Sequence, residues 1–313
     1  MEVEDRLLRG ALDLHAHGHP EFTTRRRPRV SNTEWARLAA AAGMRGFVLK
    51  SHVWPTVQVA AMLGELSPEL EIFGSITLNP PVGGLSPTAV EFAAQLGAKV
   101  AWMPTWAARH VPPKHSITLE RMRPLMSTLD PQRAQDEDAI TILTADGSLK
   151  PVVGEILAVC RAYDLTVASG HLPPQASIAL ARAARAAGVR FVLTHACSGS
   201  VDASIEQQQE IAGLGGFIEH VFISCMPMHQ RGDPRQIAAA IQAVGPEHCV
   251  MASDAGEAWN PPAPEVLRMF IASMLALGIG EDAVHLMTHE NPARALGLPG
   301  QPCPRPDTGA RDG

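Results

Sequence analysis

Ala11-Leu12-Asp13-Leu14-His15-Ala16-His17-Gly18-His19-Pro20 is the stretch on which the reading of the chain turns. An apolar run, Leu7-Leu8 and then Ala11-Leu12, leads into it and reads as a buried strand. Successive side chains of a strand point to opposite faces, so His15 and His17 fall on one side. Gly18 and Pro20 end the strand and leave both imidazoles at its carboxyl end. Two imidazoles on one side make half of a metal site, and imidazole suits zinc, iron, nickel or copper. The other half has to come from elsewhere in the chain.

The 313 residues allow two average domains or one α/β barrel, which takes ~250 residues. Downstream of the first strand the same unit recurs. Ser31-Asn32-Thr33-Glu34 has capping-box spacing and opens a helix that ends near Gly43. A second strand, Arg45 to Leu49, runs into Lys50-Ser51-His52, and a third covers Leu70 to Leu78. Ser86-Pro87 starts another helix, and a fourth strand covers Ala98 to Met103. Residues 105–148 break the pattern and read as an insertion, with an Asp146-Gly147 hairpin signal near its end. Strands five to eight then end in Gly170-His171, Thr194-His195, Ile223 and Ser253-Asp254, each separated from the next by a helical pattern. Apolar strands alternating with amphipathic helices imply a parallel sheet with helices outside. Eight of them predict a (β/α)8 TIM barrel, α/β class, with an insertion after strand 4 and extra C-terminal helices. The expected organisation is one catalytic barrel over residues 1–300 and a flexible tail over 301–313. Barrel chemistry sits at the carboxyl ends of the strands. His15, His17, Lys50, His171, His195 and Asp254 all collect there.

Composition narrows the partners. A net charge of −6, with no basic block beyond Arg25-Arg26-Arg27-Pro28-Arg29, argues against nucleic acid. The five cysteines are scattered and form no C-x-x-C pair, which argues for a reducing compartment. No apolar run approaches the ~18 residues of a membrane span, and the acidic N-terminus does not resemble a signal peptide. The expectation is a cytoplasmic enzyme for a small-molecule substrate, with a homo-oligomeric state left open.

His-x-His after strand one (His15, His17), His171 after strand five, His195 after strand six and Asp254 after strand eight resemble the amidohydrolase superfamily of metal-dependent hydrolases. The resemblance spans residues ~8–298 and includes Asn291-Pro292-Ala293-Arg294-Ala295-Leu296-Gly297-Leu298, which is similar to the helix that closes these enzymes. Leu49-Lys50-Ser51-His52 and Leu78-Asn79-Pro80-Pro81-Val82-Gly83-Gly84 look like a functionally uncharacterised amidohydrolase-like family. The resemblance implies a divalent metal, with zinc expected and manganese, iron or nickel as alternatives, held as one or two ions. His15, His17, His171 and Asp254 are then the implied ligands, and His195 a ligand or a polarising imidazole. Binuclear members carry a carboxylated lysine after strand four, where this chain has Ala101-Trp102-Met103-Pro104. Lys50 ends strand two instead. It could hold an anionic substrate group, bridge two metals if carboxylated, or form a structural ion pair.

The activity this implies is metal-dependent hydrolysis of an amide, cyclic amide, lactone or ester, with Asp254, His195 and Lys50 as the catalytic set. A decarboxylase on the same scaffold and a phosphoesterase are the alternatives. Trp54, Trp102, Trp106 and Trp259 fall at or past carboxyl ends of strands and are expected to wall an apolar pocket. Of Glu219 and His220, adjacent in strand seven, one can face inward, and His220 is the expected one. Asp13 is a candidate support for His15, and His19 and His52 are weaker candidates.

Overall fold

The computed structural model describes residues 2–22, 24, 28–108 and 139–299. Residues 109–138, most of the expected insertion, and the tail 301–313 lie outside the described residues. Eight parallel strands run in the order β1 to β8. They are β1 (Leu12–His17), β2 (Gly46–Lys50), β3 (Glu71–Thr77), β4 (Ala98–Trp102), β5 (Thr166–Ala168), β6 (Phe191–Leu193), β7 (Phe217–Val221) and β8 (Cys249–Ala252). Helices α1 (Val3–Leu8), α2 (Asn32–Ala41), α3 (Val57–Leu66), α4 (Pro87–Gln95), α5 (Pro151–Ala162), α6 (Pro174–Ala187), α7 (Ile205–Gly213), α8 (Pro234–Val244) and α9 (Ala263–Ala276) precede or separate them. α10 (Glu281–His285), a π turn (Leu286–Glu290) and α11 (Asn291–Ala295) follow. The last strand returns to the first through His17 N–H to Ala255 O (2.9 Å) and Asp254 N–H to His15 O (2.7 Å). The result is a (β/α)8 barrel.

Local sequence explains most boundaries. Ser31 accepts the Glu34 N–H at the start of α2, and Ser86 accepts the Ala89 N–H at the start of α4. Thr144 N–H to Ser148 O, with Gly147 at φ +84°, closes the expected Asp-Gly turn. One expectation fails at the N-terminus. Leu7-Leu8 does not lead into β1 as strand but ends α1, and Gly10 at φ +78° turns the chain before Leu12. A left-handed residue cannot extend a strand.

The barrel has two apolar layers. Phe47, Leu49, Val167, Phe191, Leu193 and Ile218 face the helices. Leu12, Leu14, Val48, Val100, Val192, Phe217 and Val250 fill the interior, where Ala293, Ala295 and Leu296 from the C-terminal helix plug the bottom. Asn291, fully buried, donates to Pro246 O and Cys249 O, both at 2.8 Å, and fixes that plug under β8.

β1 departs from simple alternation. Asp13 pairs with Phe47 of β2 and Ala16 with Leu49, so three residue steps on β1 match two on β2. This is a bulge. Leu12 and Leu14 face the interior, yet Ala16 faces the helices. The inward set therefore shifts between Leu14 and His15, and the two histidines point into the barrel above the leucines. Asp13 sits in the seam between β1 and β8. Its Oδ1 accepts the N–H of His15 (3.0 Å) and of Ser253 (3.1 Å), two donors left over by the irregular pairing. Burial of this carboxyl pushes its pKa up to about 6, against the pull of those hydrogen bonds.

The bulge makes a prediction about Asp13. Asp13→Ala leaves two buried N–H groups unpaired and is expected to cost about 2–3 kcal/mol, read as a lower denaturant midpoint. Asp13→Asn keeps an acceptor and should lose much less.

Candidate metal centre

Five imidazoles close a ring at the carboxyl face of the barrel. Ring centres are 5.3 Å apart for His15–His17, 4.8 Å for His17–His52, 6.1 Å for His52–His171, 4.8 Å for His171–His195 and 6.0 Å for His195–His15. The strand ends that carry His171, His195 and Asp254 turn through left-handed residues. Gly170 has φ +60°, His195 φ +30° and Asp254 φ +53°. For the two non-glycine residues that conformation is strained by of order 1 kcal/mol and is imposed by the surrounding fold. Gly170 cannot be larger, because a Cβ there would lie 2.3 Å from Met103 O.

Asp254 is the point of convergence. His17 Nε2 is hydrogen-bonded to its Oδ1 at 3.0 Å. His15 Nε2 lies 2.9 Å from the same oxygen but out of line, so this fully buried nitrogen has no hydrogen-bond partner. The two imidazole nitrogens and the carboxylate oxygen lie within 4.8 Å of one another, a donor set that fits a divalent cation. Each imidazole has a carboxylate behind it. Glu219 Oε2 is 3.1 Å from His15 Nδ1, and Glu21 Oε1 is 3.5 Å from His17 Nδ1. Glu21 also accepts the His52 N–H (2.6 Å), while His52 Nδ1 meets Thr105 Oγ1 (2.8 Å), itself held by Asn79.

Lys50 lies under this cluster, 1% exposed. Its ammonium is 3.4 Å from His17 Nε2 and 5.2 Å from the centre of the Trp102 ring. Among the described residues no carboxylate comes within ion-pair distance of it, so a structural ion pair is not what holds it there. Burial lowers its pKa, partly offset by Asp254, Glu21 and Glu219.

The charges fit a divalent ion. Three carboxylates (Asp254, Glu219, Glu21) against one ammonium (Lys50) leave two negative charges around neutral imidazoles. In the protein alone, protons on the histidines supply the balance. Burial presses His15 down, but Asp254 and Glu219 outweigh it and Lys50, so its pKa is raised. Burial and Lys50 also press His17 down, yet Glu21 and the hydrogen bonds to Asp254 and Glu21 lift it to about 9. Burial would raise Asp254, and the two histidines instead hold it well below the carboxylate range. On the far side of the ring burial dominates. His171 and His52 fall well below the ordinary imidazole value, and His195 falls to about 4, so these three are neutral at pH 7.

Of the residues expected from the sequence, the structure brings His15, His17, Asp254, Lys50, His171 and His195 together. Trp102 forms a wall of the cluster, 4.7 Å from the His15 ring. Trp54 is partly exposed and donates to Pro20 O (2.6 Å), joining the loops after β1 and β2. Trp106 and Trp259 stand partly buried in the loops after β4 and β8. His220 is not brought to the cluster. Glu219 faces inward, and His220, the next residue of an extended strand, takes the other face, buried and with neither ring nitrogen hydrogen-bonded. Asp13 supports His15 through the backbone N–H and not through the ring. Glu219 takes the inward place expected of His220. Glu21, Asn79 and Thr105 join the site with no role expected of them, and His52 is a full member of the ring. A pocket lined by His17, His19, Arg29, Asn32, Gly256 and Glu257 leads from the surface between the loops after β1 and β8.

Comparison with known proteins agrees with the fold. Similar solved structures include an amidohydrolase from Pseudomonas aeruginosa (13% identity, 94% of this chain and 98% of the other, TM-score 0.60). Others are the TatD homologue YJJV from Escherichia coli (17%, 93% and 100%, 0.55) and 2,6-dihydroxybenzoate decarboxylase from Rhizobium (12%, 92% and 99%, 0.54). These proteins share the (β/α)8 barrel of this chain over nearly its whole length. No curated protein matches the sequence. The chain belongs to the family of unknown function DUF6282, whose model matches residues 10–219.

The charge balance and the close packing make three predictions. A histidine whose folded pKa is raised stabilises the protein below its unfolded value and loses that contribution as pH rises through the folded value. The metal-free protein should therefore lose stability between about pH 6.5 and about 9, the interval set by His17, as read by thermal melts. Cation binding at pH 7 should release the proton that His17 holds, measured by calorimetry in buffers of different ionisation enthalpy, and less above pH 9. Separately, a Cβ on Gly256 would lie 2.4 Å from His17 Cβ. Gly256→Ala should displace His17 and weaken cation binding at least ~10-fold while the barrel still folds, read by chelator competition and circular dichroism.

Proposed function

We propose that the protein is a metal-dependent hydrolase that cleaves an amide, cyclic amide, lactone or ester in a small substrate with an apolar or aromatic part. The observation that carries this reading is the convergence of His15 Nε2 and His17 Nε2 on Asp254 Oδ1 inside the imidazole ring. These three side chains would hold the cation, with His171 and His195 as the adjacent imidazole donors. Zinc suits the N,N,O set, and one ion is the simplest occupancy, because it cancels the two excess negative charges with Lys50 left as an ammonium. A bound divalent cation supplies Lewis acidity and lowers the pKa of water toward neutrality.

The chain's own groups do the rest. Asp254 stays ionised at neutral pH and can take a proton on its carboxylate and pass it to the leaving group. His195 is neutral and buried, with Nδ1 lacking a hydrogen-bond partner, and can meet the polarised carbonyl oxygen. Lys50, a buried cation without a carboxylate partner, holds an anionic group of the substrate or the developing oxyanion. Trp102 closes the floor against bulk water. The substrate enters by the pocket between the loops after β1 and β8. On sequence grounds the enzyme works in the cytoplasm.

The decarboxylase reading rests on the same unpaired Lys50, which would hold the departing carboxylate. Turnover of a panel of aromatic amides, lactones and esters, some bearing carboxylates, in ¹⁸O-labelled water separates the two. Label in the product carboxyl supports hydrolysis, and carbon dioxide release without label supports decarboxylation. Asp254→Asn is expected to remove most turnover, ~10²-fold or more, with metal content largely intact by elemental analysis. Full activity in that variant would rule out the proton-transfer role.

A further inference from the structure

Glu219 lies on β7, next to β8, which leads into Asp254, and one strand further from β1, which carries the His-x-His pair, and is fully buried. One of its carboxylate oxygens, Oε2, serves two histidines from two other strands. It is 3.1 Å from His15 Nδ1 at the end of β1 and accepts the backbone N–H of His195 at 3.0 Å beyond β6. The backbone O of Glu219 accepts the Ala196 N–H at 2.9 Å, so the turn carrying His195 is held from both sides. That turn is the one in which His195 adopts φ +30°, a conformation that needs outside support. The other oxygen, Oε1, is buried and has no partner. An ionised carboxylate placed this way accepts from Nδ1 of His15. The ring proton then sits on Nδ1, and the Nε2 lone pair faces Asp254.

We propose that Glu219 is a positioning residue for the metal centre: by binding His15 Nδ1–H and the His195 backbone N–H through a single oxygen, it fixes the tautomer of one ligand and the backbone of a second. This rests on the reading of His15, His17 and Asp254 as a cation site. A carboxylate behind a ligating imidazole raises its basicity and orients the ring, and loss of such a partner costs 10–100-fold in metal affinity. A purely structural role makes a different prediction. Glutamine at this position keeps the size and an acceptor oxygen for both N–H groups, so a positioning role predicts a loss of zinc affinity without a matching loss of stability in the metal-free protein. If Glu219 only braced β7 against β1 and β6, removing it would weaken that protein.

The test is Glu219→Gln, which keeps an acceptor of the same size and removes the charge. Zinc affinity by chelator competition and melting temperature of the metal-free protein are both measured against wild type. The expected result is a Kd for zinc raised 10–100-fold with a metal-free melting temperature equal to or above wild type. A Kd within threefold of wild type overturns the proposal, whatever the melting temperature does. A variant too unstable to measure also counts against it, because the bracing role alone predicts that. Nitrogen-15 histidine spectra of wild-type protein loaded with zinc give an independent reading. His15 should carry its proton on Nδ1 and zinc on Nε2, and the reverse assignment overturns the proposal. Absence of stoichiometric zinc binding by wild type would instead strike the metal-site reading itself.

Discussion

The seam between β1 and β8 depends on the Asp13 carboxylate. β1 meets β8 at the point where it carries one residue too many against β2. Asp13 takes up the two N–H groups that the irregularity leaves, one from each strand. Because β1 bulges, its lower half points leucines into the barrel core and its upper half points histidines into the site. A regular strand would have put Leu12, Leu14 and Ala16 on the inside and His15 and His17 among the helices. The metal centre therefore follows from a defect in the sheet, and a buried acid whose own pKa burial has raised stabilises that defect.

The polar layer above is held by opposed charge in a place where charge is costly. Burying an unpaired carboxylate costs several kcal/mol, and the site sets one fully buried carboxylate, Glu219, and two partly buried ones, Asp254 and Glu21, beside one lysine. It tolerates this because the imidazoles can carry protons and surrender them to a cation. The ring is accordingly divided. His15 and His17, backed by Glu219 and Glu21, are tuned upward, while His52, His171 and His195 on the opposite side are kept neutral by burial. One arc of the ring offers the donor set that fits a cation. The other presents neutral nitrogen to whatever is bound beside it.

Much of this was legible in the sequence. The alternation of apolar strands and helices specified the barrel, and the titratable residues at strand ends specified His15, His17, His171, His195, Asp254 and Lys50 as neighbours. What was not legible has physical reasons. Period-two alternation cannot show a bulge, so Asp13 reads as a partner of the His15 ring when it binds the backbone. Glu219 and His220 are equivalent in a strand of unknown phase, although Phe217, two residues earlier and of the apolar interior kind, was a signal that Glu219 faces in. His52 lies past the end of β2 in a loop, where neither periodicity nor capping fixes direction. Its place in the ring depends on Glu21, Thr105 and Asn79, three contacts between loops. The same limit applies to the tryptophans: Trp102 is inside its strand and falls where the alternation puts it, whereas Trp54 is drawn to Pro20.

The C-terminal plug has a consequence for the order of folding. The interior layer is completed by Ala293, Ala295 and Leu296 packing under strands that begin at Leu12. The β1–β8 seam likewise joins residues about 240 positions apart. Contacts of such long range form late, because their loop-closure entropy must be met before they contribute. Strands β2 to β7 can pair with sequence neighbours as they form, but both the floor and the seam wait for the last fifth of the chain. Until then the first strand, with its two histidines, has neither its core neighbours below nor Asp254 beside it. The protein thus assembles its candidate cation site and closes its barrel in the same event, so a folding intermediate with an open seam would have secondary structure without His15, His17 and Asp254 in one place.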